Sequence, residues 1–324
     1  MELYPLKFKA ILKEKIWGGD VLVEKLNKES NSTKIGESWE LSGVAGSISE
    51  VSNGKYKGAS LNELLETYKG QFVGNSVYKV FKDEFPLLFK FIDARQNLSI
   101  QLHPNNELAA KRHNSFGKTE MWYVLEADER AKLYAGLTKQ LTKEEYLEAF
   151  NEGELLNLIH VDEVQKGDAF FIEVGTIHAI GEGIVLAEIQ QTSDVTYRIY
   201  DWDRLDTNGV CRELHTDLAL DAIDFEKVGS CKLVFEEEVG AVNQVFSCQY
   251  FTTNKLKITE ELERDLMNID SFVVYMCVEG EGQMKIENNT ENIKKGETLL
   301  IPAEAENILI RGINGLELLE VYIE

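Results

Sequence analysis

Four side chains offer the atoms that hold a divalent metal. Gln101 and His103 stand in LSIQLHP, residues 98–104, where Leu98, Ile100 and Leu102 alternate with Ser99, Gln101 and His103 until Pro104 ends the run. Such alternation belongs to a half-buried strand, so a hydroxyl, an amide and an imidazole share one face, successive members roughly 7 Å apart. Lys118 and Glu120, two apart in GKTEMWYVL, share a strand face in the same way, and His178 closes GDAFFIEVGTIH. Two imidazoles, a carboxylate and an amide oxygen form a mixed set that a zinc-class cation accepts, with a position left for water or substrate. Lys118 would place a cation near whatever anion the metal binds. Each residue also has an ordinary reading: a strand-end His is commonly just hydrogen-bonded, Glu120 could be an edge charge, and Gln101 a cross-strand partner.

Further along, LAEIQQTSDVTYRIYDWDR sets Glu188 and Arg198 on either side of the polar turn QTSD, with Arg198 between Tyr197 and Tyr200. Stacked among those rings, Arg198 would shield the core. Turned towards a cleft, its planar fork suits a phosphate or enolate oxygen. Near the amino terminus, EKIWGG pairs Trp17 with Lys15, and GESWELSG pairs Trp39 with Glu37. Flat aromatic faces bind sugars, and a Trp there equally serves as a core plug. Of the five histidines, His113 and His160 fall in or beside predicted helices and are expected to be solvated.

The elements that must position these groups are mostly short strands. KVFKDEFPLLFKFID, EMWYVLEA, AKLYAGL, DAFFIEV, IVLAEIQQ, SFVVYMCVEG, EGQMKIEN and ETLLIPA are punctuated by Gly, Asn and Asp, a pattern of sandwiches and barrels. Capping-box spacing opens two helices, Ser60 to Glu63 before LNELLETYKG and Thr142 to Glu145 before EEYLEAFNEGELLNLI. ELHTDLALDAIDF, from Glu213, is predicted as a third. One internal echo stands out: GDAFFIEVGTIH at 167–178 matches GETLLIPAEAEN at 296–307, with His178 in the first copy and Asn307 in the second. The chain therefore reads as mainly β, with two domains of one kind: a chemically equipped one over residues 1–225, and a second over 226–324 that carries no catalytic-looking cluster.

Composition narrows the partners. A net charge of −22 over 324 residues disfavours nucleic acid and anionic membrane surfaces, and a phosphorylated substrate would need a local cluster of cations. No stretch approaches the roughly 18 apolar residues of a membrane span, and MELYPLKFKA lacks the apolar segment of a signal peptide. Cys211, Cys231, Cys248 and Cys277 show no C-x-x-C spacing, which fits reduced thiols and a cytoplasmic location. Nothing in the pattern selects an oligomeric state.

Taken in order, SIQLHP, GKTEMW, GTIHA and EIQQTSD followed by TYRIYDWDR resemble the class I mannose-6-phosphate isomerases in their short bacterial form, from EKIWGG through RELH at 212–215. The resemblance implies two cupin-type jelly rolls, the second free of metal. It also implies an aldose–ketose isomerase that interconverts mannose 6-phosphate and fructose 6-phosphate through an enediolate. One Zn2+ per chain would sit on His103, Glu120 and His178, with Gln101 as a fourth ligand. Arg198 falls on the family's active-site arginine, ten residues after Glu188. Ser99, Lys90 and Lys118 match positions that line the pocket and help with phosphate, and Trp17 and Glu37 match pocket residues. The general base is left open among Glu188, a metal-bound water and Glu37, with His215 behind them.

The sequence also departs from the longer members. Ile180 stands where they have Tyr, and IYDWDR replaces a T-P-K stretch, with Arg204 taken to supply that lysine's charge. Only one predicted helix lies between AKLYAGL and DAFFIEV, too little for their helical insertion. Two rival functions share the same ligands. One is a non-enzymatic cupin binding a sugar phosphate or metal. The other is an oxidative cupin enzyme, against which a Gln stands where an imidazole would be expected.

Overall fold

The computed structural model describes residues 1–206 and 209–324 and is mainly β. Two antiparallel sheets form the first β unit. One runs in the order Ile11–Gly19, Ile35–Leu41, Leu87–Ala94, Ile184–Gln191, Glu120–Ala127, Ala169–Ile172. The other runs Tyr197–Tyr200, Ile100–Leu102, His178–Ile180, Lys132–Leu137, Ile159–Glu163.

In the larger sheet, Leu87–Ala94 and Ile184–Gln191 are buried at every position. Both faces are covered, which is why FPLLFKFID and IVLAEIQQ read as nearly continuous apolar runs rather than alternating ones. Phe89, Phe91, Met121, Tyr123, Ala187 and Ile189 point outward into a core shared with Phe251, Phe272, Val274, Met276, Leu319 and Val321 of the second unit. The Phe85 and Phe272 rings meet at 4.6 Å within it. Alternation then sends Lys90, Glu120, Trp122, Glu188 and Gln190 inward. Burial of each outward aromatic is worth roughly 1.5–3 kcal/mol, and it pins the strand parity on which the inward face depends.

The second unit is built around two long strands, Val273–Ile286 and Asn307–Tyr322. Register shifts near Cys277 to Gly282 bend the first of them. Its early residues pair with Thr298–Ile301 and its late ones with Asn289–Lys294. Leu6–Lys7 adds to the same sheet on Thr298–Ile301, so the two ends of the chain share one sheet.

The internal echo is structural as well. Gly167 and Gly296 both take positive φ, +93 and +86, in the turn before a four-residue strand. Asp168 and Glu297 each accept the backbone N–H of the residue three before, Gln165 and Lys294. Val124 and Cys277 hold the two turns through the same pair of backbone bonds. His178 and Asn307 then open the next strand in each unit.

Both capping boxes are formed: Ser60 with Glu63 on Leu61–Tyr68, and Thr142 with Glu145 on Lys143–Asn151. Two expectations need correction. The KVF of KVFKDEFPLLFKFID is helical, within Asn75–Phe81; Lys82 at φ +54 and Pro86 separate it from the strand, which starts only at Leu87. The helix expected from Glu213 is one short turn, Thr216–Leu220. The helix expected at His113 is present as Asn106–His113, although its apolar pattern is weak, because one residue of it, Ala109, is buried. Its ends carry the signal instead: Asn105 caps Leu108 N–H, and Lys111, Arg112 and His113 fill the last turn.

Candidate active site

Strand register assembles the site. Across four strands of the larger sheet, Trp39 stands opposite Lys90, Lys90 opposite Glu188, and Glu188 opposite Trp122. One step along, Gln190 stands opposite Glu120. In the smaller sheet Arg198 pairs with Gln101, and Gln101 with His178. The two inner faces enclose a cleft whose walls include Trp17, Glu37, Lys90, Ser99, Lys118 and Arg198. EKIWGG is shaped by close approach: a Cβ on Gly18 would lie 2.4 Å from Gly36 N, and one on Gly36 would lie 2.6 Å from the Trp17 ring.

His103, Glu120 and His178 come together in the cleft's floor. Their ligand atoms all lie within 4.8 Å of one another, and all three side chains are buried. His103 Nδ1–H donates to Val195 O at 2.9 Å, and His178 Nδ1–H to Thr176 O at 2.9 Å. With carbonyls fixing that tautomer, both Nε2 lone pairs are directed to the cluster. Burial, then the Lys118 ammonium, push His103 down to about 3, and burial lowers His178 as well, so both rings are neutral. Burial opposes ionisation of Glu120, yet the Lys118 ammonium holds its carboxyl well below the usual range. Glu120 Oε1 accepts no well-aligned hydrogen bond, although Lys118 Nζ lies 2.7 Å away. A buried carboxylate oxygen without a directed donor, beside two ring nitrogens, fits a divalent cation of the zinc class. Gln101 borders the cluster, its Nε2 3.5 Å from His178 Nε2, and Ser99 Oγ donates to Gln101 Oε1 at 3.2 Å.

Two further carboxylates are tuned in opposite directions. Glu188 is raised by burial and then by the Glu120 charge, against the pull of Lys90. Glu37 is largely but not fully buried, and Lys90, Lys15 and the Trp39 indole hold it at about 2. Lys90 Nζ donates to Glu188 Oε1 at 2.7 Å and to Gln190 Oε1 at 2.6 Å. Three carboxylates keep it charged despite burial. Trp122 Nε1–H is shared at 3.1 Å between Glu120 Oε2 and Glu188 Oε2, tying the cluster to the second carboxylate. Carboxylates driven apart in this way mark separate acid–base roles.

Most residues singled out by the sequence therefore meet in one place. Arg198 points into the cleft rather than stacking on its tyrosines; Nη1 donates to Glu213 O at 2.9 Å, and Tyr197 turns to His113 on the other face. Arg204 departs from expectation. Its Nη2 is bound by Asp201 at 2.7 Å and its Nη1 reaches Gln96 Oε1 at 3.4 Å, and it does not line the cleft. His215 takes the Arg198 backbone N–H on Nδ1 at 3.1 Å, outside the cleft lining. His113 is exposed, and His160 is partly so at the start of its strand.

The sequence reading missed Trp122, Gln190, Asp194 and Arg212. Trp122 and Gln190 were within reach, since each lies two residues from a chosen carboxylate on the same strand face. Arg212 carried no such signal.

The chain is similar to known proteins along most of its length. A family model described as phosphomannose isomerase type I, catalytic domain, matches residues 5–150, and one described as mannose-6-phosphate isomerase, cupin domain, matches residues 242–323. The chain is 36% identical to the mannose-6-phosphate isomerase ManA of Bacillus subtilis (strain 168) over 308 residues, 93% of this chain and 94% of that one. It is 34% identical to a mannose-6-phosphate isomerase of Streptococcus mutans serotype c, over 92% of each. The crystal structure of the mannose 6-phosphate isomerase from Bacillus subtilis superposes with a TM-score of 0.89 at 34% identity, covering 98% of this chain and 99% of that one.

Proposed function

This chain belongs to the type I phosphomannose isomerases, and from that membership we propose that it interconverts mannose 6-phosphate and fructose 6-phosphate by proton transfer through an enediolate. The observation that carries the reading is the floor of the cleft: a buried His103–Glu120–His178 cluster linked by one indole N–H to Glu188, itself 2.7 Å from Lys90.

In the open-chain sugar, Glu188 takes the proton from C2 and returns it to C1, while a hydroxyl proton passes from O2 to O1. Burial suits Glu188 to this, since a carboxylate with a raised pKa is the stronger base and takes a carbon-bound proton more readily than an ordinary one. Glu37, held ionised at about 2, is the poorer base, and with Lys15 and Trp39 it orients hydroxyls instead. Arg198 faces the enediolate, whose charge in a partly dry cleft is the main barrier. Lys90 fixes the Glu188 carboxylate and keeps it from swinging towards Glu120. Trp17 supplies a flat wall, and Ser99, Gln101 and Lys118 border the reacting end.

His103, Glu120 and His178 would hold a zinc-class ion, one per chain, with Gln101 beside it. When bound, the ion polarises the sugar's carbonyl and hydroxyl oxygens as a Lewis acid. The chemistry is assigned to residues 1–225, with 226–324 as the support that buries the outer face of the larger sheet. No helix among the described residues is long and apolar enough to cross a membrane, and the four cysteines are free thiols. A cytoplasmic location, where phosphorylated sugars are held, accords with both.

Incubation of the purified protein with mannose 6-phosphate, with and without chelator, tests the reading. Fructose 6-phosphate should form, and chelation should stop it. Binding without turnover would instead indicate a sugar-phosphate-binding cupin.

A further inference from the structure

The charge arrangement in the cleft is uneven. Each lysine there has its own carboxylate: Lys15 with Glu37 at 2.9 Å, Lys90 with Glu188 at 2.7 Å, and Lys118 with Glu120 at 2.7 Å. Arg198 meets only a backbone carbonyl, and its buried Nε has no hydrogen-bond partner among the described residues. Beside it stands Arg212, also in the cleft wall. Asp201, 5% exposed, grips Arg212 side-on, accepting from Nε at 2.7 Å and from Nη2 at 2.6 Å, and accepts Arg204 Nη2 at 2.7 Å as well. One carboxylate thus anchors two guanidiniums, and Arg212 Nη1 has no protein acceptor among the described residues. Asp194, exposed at the rim, is the remaining carboxylate of the cleft wall on this side, and the exposed Glu213 lies outside the wall. Among the described cleft residues, the positive charge without a contacting carboxylate is that of Arg198, and Arg212 beside it keeps a free donor edge.

We propose that Arg212, held rigid by Asp201, is the residue that binds the substrate's phosphate; the proposal rests on the isomerase reading. A guanidinium already fixed on one edge loses little freedom when its other edge takes a phosphate oxygen, and its planar donors match that group better than an ammonium. Local charge is also what a dianion needs in a chain of net charge −22. A phosphate on Arg212 leaves the sugar's C1 and C2 towards Arg198, Glu188 and the His103–Glu120–His178 cluster. Arg204, expected from the sequence in this role, serves through Asp201 alone.

The test compares zinc-loaded parent, Arg212→Ala, Arg212→Lys and Arg204→Ala. Arg212→Ala is expected to raise KM for mannose 6-phosphate at least about tenfold with kcat changed by less than about threefold. Zinc content should stay the same, and competitive inhibition by inorganic phosphate should be lost. Arg212→Lys, which keeps the charge without the fork, should fall between, and it decides the matter if the alanine variant does not fold. An active parent with unchanged KM in both Arg212 variants overturns the proposal and leaves the isomerase reading intact. So does a KM rise confined to Arg204→Ala. A parent that does not isomerise the sugar overturns the isomerase reading itself, and inhibition by phosphate could not then be read.

Discussion

Lys90 and Glu188, 98 residues apart in the chain, stand directly opposite each other on neighbouring strands and join at 2.7 Å with both side chains buried. Such a pair gives little net stability, because desolvation offsets its attraction, yet removing one partner leaves a buried charge uncompensated. Lys90→Met is therefore expected to destabilise the fold by about 3–5 kcal/mol. Adding Glu188→Gln should recover part of that loss. Urea unfolding of the single and double variants measures both; additive losses would contradict the coupling.

Arg198→Ala should lower turnover at least about a hundredfold, the scale of losing one preorganised donor to a developing anion. Zinc content should be unchanged, since Arg198 pairs with Gln101 through backbone and does not join the cluster. Steady-state kinetics with elemental analysis separates the two effects.

His178→Ala removes one of three clustered donors and should abolish stoichiometric zinc. Elemental analysis after dialysis reads this directly. Full occupancy would show that the ion is held elsewhere.

Trp122→Phe keeps an aromatic ring in the core and deletes the N–H shared by Glu120 and Glu188. Glu188 should lose its fixed orientation, with kcat falling about tenfold, the order expected for a weakened catalytic proton transfer. KM should move little. Thermal unfolding close to that of the parent would locate the loss in positioning rather than in folding.

Asp93 gives a pH signature away from the cluster. It accepts the Val21 N–H at 2.8 Å, but burial, with Asp20 nearby, raises it from 3.8 to about 6. Between those values the native state holds a proton that the unfolded chain has released, so stability falls as pH rises through that window. Asp93→Asn should be the more stable protein at pH 8, by on the order of 3 kcal/mol. The difference should vanish near pH 4. Urea midpoints at the two pH values check the sign.

Much of this protein was legible in its residues alone. Period-two spacing put Ser99, Gln101 and His103 on one face and Lys118 with Glu120 on another. The two capping boxes announced Leu61–Tyr68 and Lys143–Asn151, and the order of the motifs pointed to the isomerase family. These are local properties, set by the geometry of one strand or one helical turn. What the tertiary structure alone decided is which strands become neighbours and in what register. Lys90 meets Glu188, Trp122 bridges two carboxylates, and Arg212 rather than Arg204 reaches the cleft. A one-residue slip between strands would reverse every inward side chain. That register is fixed by Phe89, Phe91, Ile189 and their partners packing on the second unit, contacts between segments far apart in the chain that no local pattern encodes.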